Sequence, residues 1–97
     1  MQDEQFTDNV AQSRYELSLG GKVTAFASYR IDDADGNVVL ITHTEVTGPE
    51  GQGLGSRLAR RLLDEIRQRG QGVVPQCGFI EGWIDKHPEY ADLVRPG

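Results

Sequence analysis

The chain has 97 residues and a formal net charge of −5, enough for one domain whose modest core buries about 60–65% of the unfolded surface. An acidic balance excludes non-specific nucleic-acid binding and favours a cationic or amine partner. A single cysteine, Cys77, excludes an internal disulfide and fits a reducing cytoplasm; the polar, acidic start is no signal peptide, and no apolar run approaches the ~18 residues of a membrane span.

Met1–Asp8 is polar and reads as a flexible segment ahead of one domain over residues 9–97. Ser13–Leu19 alternates, with Tyr15, Leu17 and Leu19 on one face and Arg14, Glu16 and Ser18 on the other, which predicts a half-buried strand. Gly20-Gly21 signals a hairpin, and Val23–Ile31 alternates again. Asp32–Asn37 is a polar turn containing Asp-Gly. Val38–Val46 is rich in β-branched residues and reads as a central strand.

A glycine-dense turn follows, with Gly51, Gly53 and Gly55 spaced two apart, and then a strongly amphipathic helix. Leu54, Leu58, Leu62, Leu63 and Ile66 form its apolar stripe, while Arg60, Arg61, Asp64, Glu65, Arg67 and Gln68 face away, and Gly70 ends it. Val73–Cys77 is a short strand, Phe79–Lys86 a short helix turning Phe79, Ile80, Trp83 and Ile84 inward, and Pro88 opens a last turn. Three antiparallel strands followed by strand–helix–strand predict an α/β (α+β) fold: a mixed, mostly antiparallel sheet with a βαβ unit and helices packed on it. The crossover is expected to be right-handed, with the strands either side of the helix as parallel neighbours. Where they splay, a slender ligand can slide between them.

The turn is the functional centre. Glycines allow a backbone to approach a ligand closely, and a helix start offers unpaired N–H groups and partial positive charge, so strand–turn–helix makes a site for phosphate or pyrophosphate. Arg57, Arg60 and Arg61 in the first half of the helix, ahead of Asp64 and Glu65, run against the macrodipole. An anion at the helix start would relieve that order; the plainer reading is an exposed face whose arginines pair with Asp64 and Glu65. A Walker-type loop is absent, because Leu54 rather than lysine follows Gly53, and so is the Gly-x-Gly-x-x-Gly dinucleotide fingerprint.

His43-Thr44-Glu45-Val46, Gly51-Gln52-Gly53-Leu54-Gly55-Ser56, Pro75-Gln76-Cys77 and His87-Pro88-Glu89-Tyr90, in that order, resemble the small GNAT-like N-acetyltransferases, over nearly the whole chain after the first few residues. Gly53 and Gly55 match the glycines of the superfamily's Gln/Arg-x-x-Gly-x-Gly/Ala signature, whereas Glu50 occupies its leading position. The resemblance implies acetyl-CoA as co-substrate. Backbone amides from Gly51 to Ser56 (Gly51, Gln52, Gly53, Leu54, Gly55, Ser56) would grip the pyrophosphate beside Arg57, and the pantetheine arm would run along the strand ending at Val46.

Acetyl transfer to an amine needs a base and an oxyanion donor, and can use an acid for the departing thiolate. His43 and Glu45, two apart on a strand, project from one face and are candidate bases; a structural polar pair is the alternative. Tyr90 is a candidate acid or else a core residue with a satisfied hydroxyl. Cys77 could carry the acetyl group covalently or simply pack as a small hydrophobe; direct attack by the amine is preferred. Cys77, His43, His87 and Glu89 lack metal-ligand spacing, so no metal is expected. The reading is an N-acetyltransferase acting on a small-molecule or lysine-type amine; rivals are a coenzyme A or acyl-CoA module without turnover and a domain whose glycine turn is only a turn.

Overall fold

The computed structural model describes residues 3–49 and 51–96. Five strands form one sheet in sequence order: β1 (Glu4–Asn9), β2 (Arg14–Leu19), β3 (Lys22–Ile31), β4 (Val38–Val46) and β5 (Gly72–Pro75). Neighbours are antiparallel except β4 and β5, which are parallel and joined through helix α1 (Leu54–Gln68). A second helix, α2 (Gly78–Asp85), and a 3-10 segment, Pro88–Leu93, complete the chain. The mixed, mostly antiparallel sheet with its βαβ unit is the architecture that the hydrophobic pattern predicts.

The expectation of a loose N-terminus is corrected. Glu4–Asn9 is a full strand paired with β2 from Glu4↔Leu19 to Asn9↔Arg14. Its polarity conceals the pairing, because its carboxylates meet partners far along the chain. Glu4 receives Arg57 and Arg61 from α1, and Asp8 receives the Tyr29 hydroxyl at 2.6 Å. Phe6 between them packs on the core and stacks on Tyr15 at 5.8 Å.

The core lies between the sheet and α1. Leu58, Leu62, Leu63 and Ile66 are fully buried, as are Leu17, Val39 and Ile41 from the strands. Ala25 and Ala27 also lie in this core, and their small side chains suit close approach of the helix. Burying one leucine contributes about 1.5–3 kcal/mol, so this stripe supplies most of the force that fastens the helix to the sheet. The Gly20-Gly21 hairpin takes left-handed backbone at both positions, φ 57° and 83°, the twist that suits antiparallel strands.

Ile80, Trp83 and Ile84 of α2 are buried as expected, but Phe79 is not: it is 44% exposed. On an eight-residue helix the inward stripe is narrow, and residue 79 falls beside it rather than on it. After the 3-10 segment, Val94 bridges to Val73, and Arg95 N–H donates to the Val73 carbonyl at 2.8 Å. The tail therefore lies along the outer edge of β5.

Two irregularities position the site. β4 pairs with β5 only from Val38↔Gly72 to Ile41↔Pro75, with Gln76 N–H closing the ladder on the Ile41 carbonyl at 2.9 Å. Beyond that point residues 42–46 of β4 pair with β3 alone. At the parting, Ser28 pairs with His43 and Tyr29 with Ile41, so Thr42 is an extra, bulged residue; bulges re-aim the side chains that follow them. Thr44 and Val46, opposite the buried Ala27 and Ala25, face α1, while His43 and Glu45 take the opposite face.

Candidate active site

The Gly51–Ser56 turn leads from the end of β4 into α1. Gly53 is the N-cap residue, with left-handed φ 66°, and no side chain caps the helix. The first helical bond runs from Arg57 N–H to the Gly53 carbonyl at 3.0 Å. The amides of Leu54, Gly55 and Ser56 therefore have no acceptor among the described residues, and no acidic side chain sits in the first turn. A Cβ at Gly51 (φ 80°) or Gly53 would meet nothing within 4 Å. The turn ahead of these donors is thus unobstructed at Gly51 and Gly53, which suits an anion site. Glu50, the expected departure from the acetyltransferase signature, lies outside the described residues.

The arginines of this helix do not pair as the plainer reading of the sequence supposes. Arg57 binds Glu4 through Nε at 2.8 Å and braces the turn by donating to the Gln52 carbonyl at 3.3 Å. Arg61 also reaches Glu4, at 3.0 Å. Arg60 lies over the rings of Trp83 and Tyr90, and Arg67 binds Asp92. Of the five arginines on and just after this helix, Arg69 alone takes the expected type of partner, Glu65.

Gly55 has a different task from its two neighbours in the turn. A Cβ there would lie 2.9 Å from Phe79 Cζ and 3.3 Å from Val46 Cγ2. Its bare backbone lets two exposed apolar side chains, one from β4 and one from α2, converge on the first turn of α1. Trp83 Nε1 donates to Ser56 Oγ at 2.8 Å and fixes α2 against the same turn.

Across the parting of the strands, Cys77 Sγ donates to Thr44 Oγ1 at 3.1 Å. The thiol is free and half-buried. Burial acts to raise its pKa, but the Thr44 hydroxyl and the backbone N–H groups of Ile80 and Phe79 outweigh burial and hold it below the ordinary thiol value. Those amides belong to the start of α2, for which Cys77 is the N-cap residue.

His43 and Glu45 share a face and lie 3.7 Å apart, both more than half exposed. They are not in contact with the Cys77–Thr44 pair, because their strand face is the one turned from α1. Tyr90 is held elsewhere: its hydroxyl donates to Asp64 at 2.7 Å and accepts from Arg60 at 3.3 Å. Asp64 lies two turns beyond Ser56, about 12 Å along the helix. Burial first, then the Asp64 hydrogen bond, raise the Tyr90 pKa. His87 stacks on Trp83 at 3.7 Å and bonds its carbonyl through Nδ1. Among the described residues, no three His, Cys, Asp or Glu side chains are placed to hold a metal ion.

The sequence reading omits Thr44, Phe79 and Trp83 from the site. Thr44 carries a faint signal, since it lies two residues before Val46 and so shares its face. Phe79 and Trp83 offer none beyond their proximity to Cys77.

An antiparallel sheet that ends in a parted parallel pair, with a glycine turn and an uncapped helix start at the parting, defines a small mixed α+β domain. A match to the family described as GCN5-related N-acetyl-transferase spans residues 14–93, so the chain belongs to that family and to the N-acetyltransferase class of enzymes. No curated protein matches the sequence. Among solved structures, it is similar to a GCN5-like protein of Staphylococcus aureus, with 21% identity, a TM-score of 0.70, and coverage of 96% of this chain and 89% of the other. It is also similar to the ribosomal-protein-S18-alanine N-acetyltransferase of Escherichia coli, with 21% identity, a TM-score of 0.59, and coverage of 89% and 54% respectively. At that identity the two structures speak for the fold.

Proposed function

We propose that this chain transfers the acetyl group of acetyl-CoA to an amine. The observation that carries the reading is the coincidence of two features: β4 parts from β5 after Ile41 and Pro75, and the uncapped, unobstructed start of α1 opens at the end of the same strand. The amides around Gly53–Ser56 suit a diphosphate, and the unpaired β5-side edge of residues 42–46 suits an amide-bearing arm. The co-substrate would supply an acetyl group already activated as a thioester. His43 or Glu45 would receive the proton that the amine gives up as its nitrogen bonds to the acetyl carbon and the carbon–sulfur bond breaks. The net charge of −5 and the exposed Glu45 favour a small cationic amine or a lysine side chain as acceptor. Among the described residues no helix is long and apolar enough to cross a membrane, and the lone free thiol suits a cytoplasmic setting.

One observation favours a second route. The Cys77 thiol, with its lowered pKa, stands against Thr44 at the parting, where its sulfur could take the acetyl group before the amine does. Calorimetric titration with coenzyme A and acetyl-CoA, with Gly53→Asp as control, tests binding; absence of binding by the native chain overturns the proposal. Acetylation of an amine panel by His43→Ala, Glu45→Ala, Cys77→Ala and Tyr90→Phe tests turnover. Binding without acetylation of any amine leaves the non-catalytic coenzyme A module, whereas an acetylated protein that Cys77→Ala cannot form selects the two-step route.

A further inference from the structure

The face of the sheet turned away from α1 is open, because both helices bury their apolar side chains in the core on the other face. Strand register sets two adjacent rows across it. Arg14 pairs with Ser28 and Ser28 with His43; in the neighbouring row Glu16 pairs with Phe26 and Phe26 with Glu45. Residues directly opposite one another project from the same face, so His43 and Glu45 share this surface with an arginine that the proposed chemistry does not use. That arginine is held in place. Its Nε donates to Glu16 Oε2 at 2.5 Å, and the same oxygen accepts from Asn9 Nδ2 at 3.2 Å. Glu16 is only 8% exposed, so the anchor is a buried one. The guanidinium is thereby laid over the Phe26 ring, 4.5 Å from its centroid, and the His43 ring is 6.3 Å from that same ring.

The outer edge of this guanidinium is unspent. The Arg14 side chain is 29% exposed, and neither of its terminal nitrogens has a hydrogen-bond partner among the described residues. Arg30, two residues beyond Ser28 on the same face, is exposed and adds a second guanidinium with no carboxylate in ion-pair distance among the described residues. At the other end of the rows stands Glu45, beside His43. The face therefore offers donors for an anion at one end and a carboxylate at the other, the complement of a zwitterion. Resting on the proposed acetyl transfer, we infer that the acceptor is a small amino acid, its amine at His43 and Glu45 and its carboxylate on Arg14, lying across Ser28 and Phe26. Two free nitrogens of a planar guanidinium match the two oxygens of a carboxylate. Arg14 and His43 stand two strands apart, roughly 10 Å between backbones, and their side chains reach into that gap. Amine and carboxylate are thus held only a few ångströms apart, as in an α- or β-amino acid. A lysine side chain within a protein carries no carboxylate so placed, so of the two acceptor classes the small molecule is selected.

The test is steady-state acetylation, by the full chain with acetyl-CoA, of glycine, alanine and β-alanine, of the amide of each, and of a lysine-containing peptide blocked at its N-terminus. Native protein should acetylate an amino acid with kcat/KM roughly tenfold or more above that of its amide, the worth of a hydrogen bond to a charged group. Arg14→Gln should bring the amino acids down to the level of their amides, with the loss falling on KM rather than kcat. Ser28→Val adds bulk between the two ends of the site on a strand that favours branched side chains, and the Ser28 hydroxyl has no partner among the described residues. It should melt no lower than native protein while losing roughly tenfold in kcat/KM for the amino acids. Equal kcat/KM for amino acids and amides, a preference that survives Arg14→Gln, or faster acetylation of the peptide than of any amino acid overturns the inference while acetyl transfer stands. Absence of acetylation of every amine by the native chain overturns both.

Discussion

Replacing Tyr90 with phenylalanine separates a structural hydroxyl from a chemical one. The ring is 5% exposed, packs at 5.4 Å from Trp83 and lies under Arg60 and Arg67, and all of this survives the substitution. What is lost is the 2.7 Å donation to Asp64 and the 3.3 Å acceptance from Arg60. A hydrogen bond to a charged group contributes about 1.5–3 kcal/mol; Asp64 is half-buried and keeps access to water, so the lower end, about 1.5 kcal/mol, applies. For a domain of this size each kcal/mol shifts the melting temperature by about 4–8 °C, so Tyr90→Phe should melt roughly 6–12 °C lower. Its kcat should stay within about twofold of native, because a hydroxyl tied to Asp64 with a raised pKa is poorly matched to donating a proton near neutrality. Thermal melting followed by circular dichroism, with steady-state acetyl transfer on the same samples, measures both. An unchanged melting temperature together with a loss of more than about a hundredfold in kcat would refute the reasoning, and would place the hydroxyl on the departing sulfur.

Removing the carboxylate that holds Arg57 and Arg61, by Glu4→Gln, should cost less than about 1 kcal/mol of stability, because these ion pairs are partly exposed. The same change should tighten coenzyme A binding a few-fold at low salt, since Arg57 is released beside the Gly51–Ser56 turn; weaker binding in calorimetry would refute it. Leu62→Ala, in a site with no exposure, should lower unfolding free energy by about 2–5 kcal/mol in urea titrations, and a loss under about 1 kcal/mol would contradict the packing described. At alkaline pH, Tyr29 supplies a signature: burial, then its bond to Asp8, raise its pKa to about 12, whereas the unfolded side chain titrates near 10. Its contribution is whole below about pH 10 and falls by about 1.4 kcal/mol per pH unit up to about pH 12, because the unfolded chain releases the proton first. Urea titrations across that interval should slope downward, and less steeply in Tyr29→Phe; an unchanged slope would show that the hydroxyl is not so held.

Much of the architecture was legible because it rests on local periodicity. The stripe from Leu54 to Ile66 and the alternation in β2 and β3 state a buried face outright, and Gly53 marks the helix start. β1 was not legible, since Glu4 and Asp8 read as solvated charges until their partners at positions 57, 61 and 29 are known. The same remoteness hid the neighbourhood of Cys77: Thr44 is 33 residues away, and a bulge at Thr42 shifts which face each later residue takes. Phe79 was misread because a helix of two turns tolerates only a narrow inward stripe, and one residue of phase separates core from surface. The proximity of His43 to Glu45 was legible from parity alone, whereas the attachment of Tyr90 to Asp64 depended on how a terminal segment folds back on α1.

The two rims of the sheet are guarded by different means. Along β5 the outward ladder is already spent, with the Val73 carbonyl taken by Arg95 and Pro75 offering no N–H at all. Lateral growth into higher aggregates is thereby confined to β1, where a second molecule added in antiparallel register about Phe6 would set Glu4 of one copy opposite Asp8 of the other. A polar, charged edge along one border and a blocked seam along the other should keep concentrated solutions of this acidic protein clear.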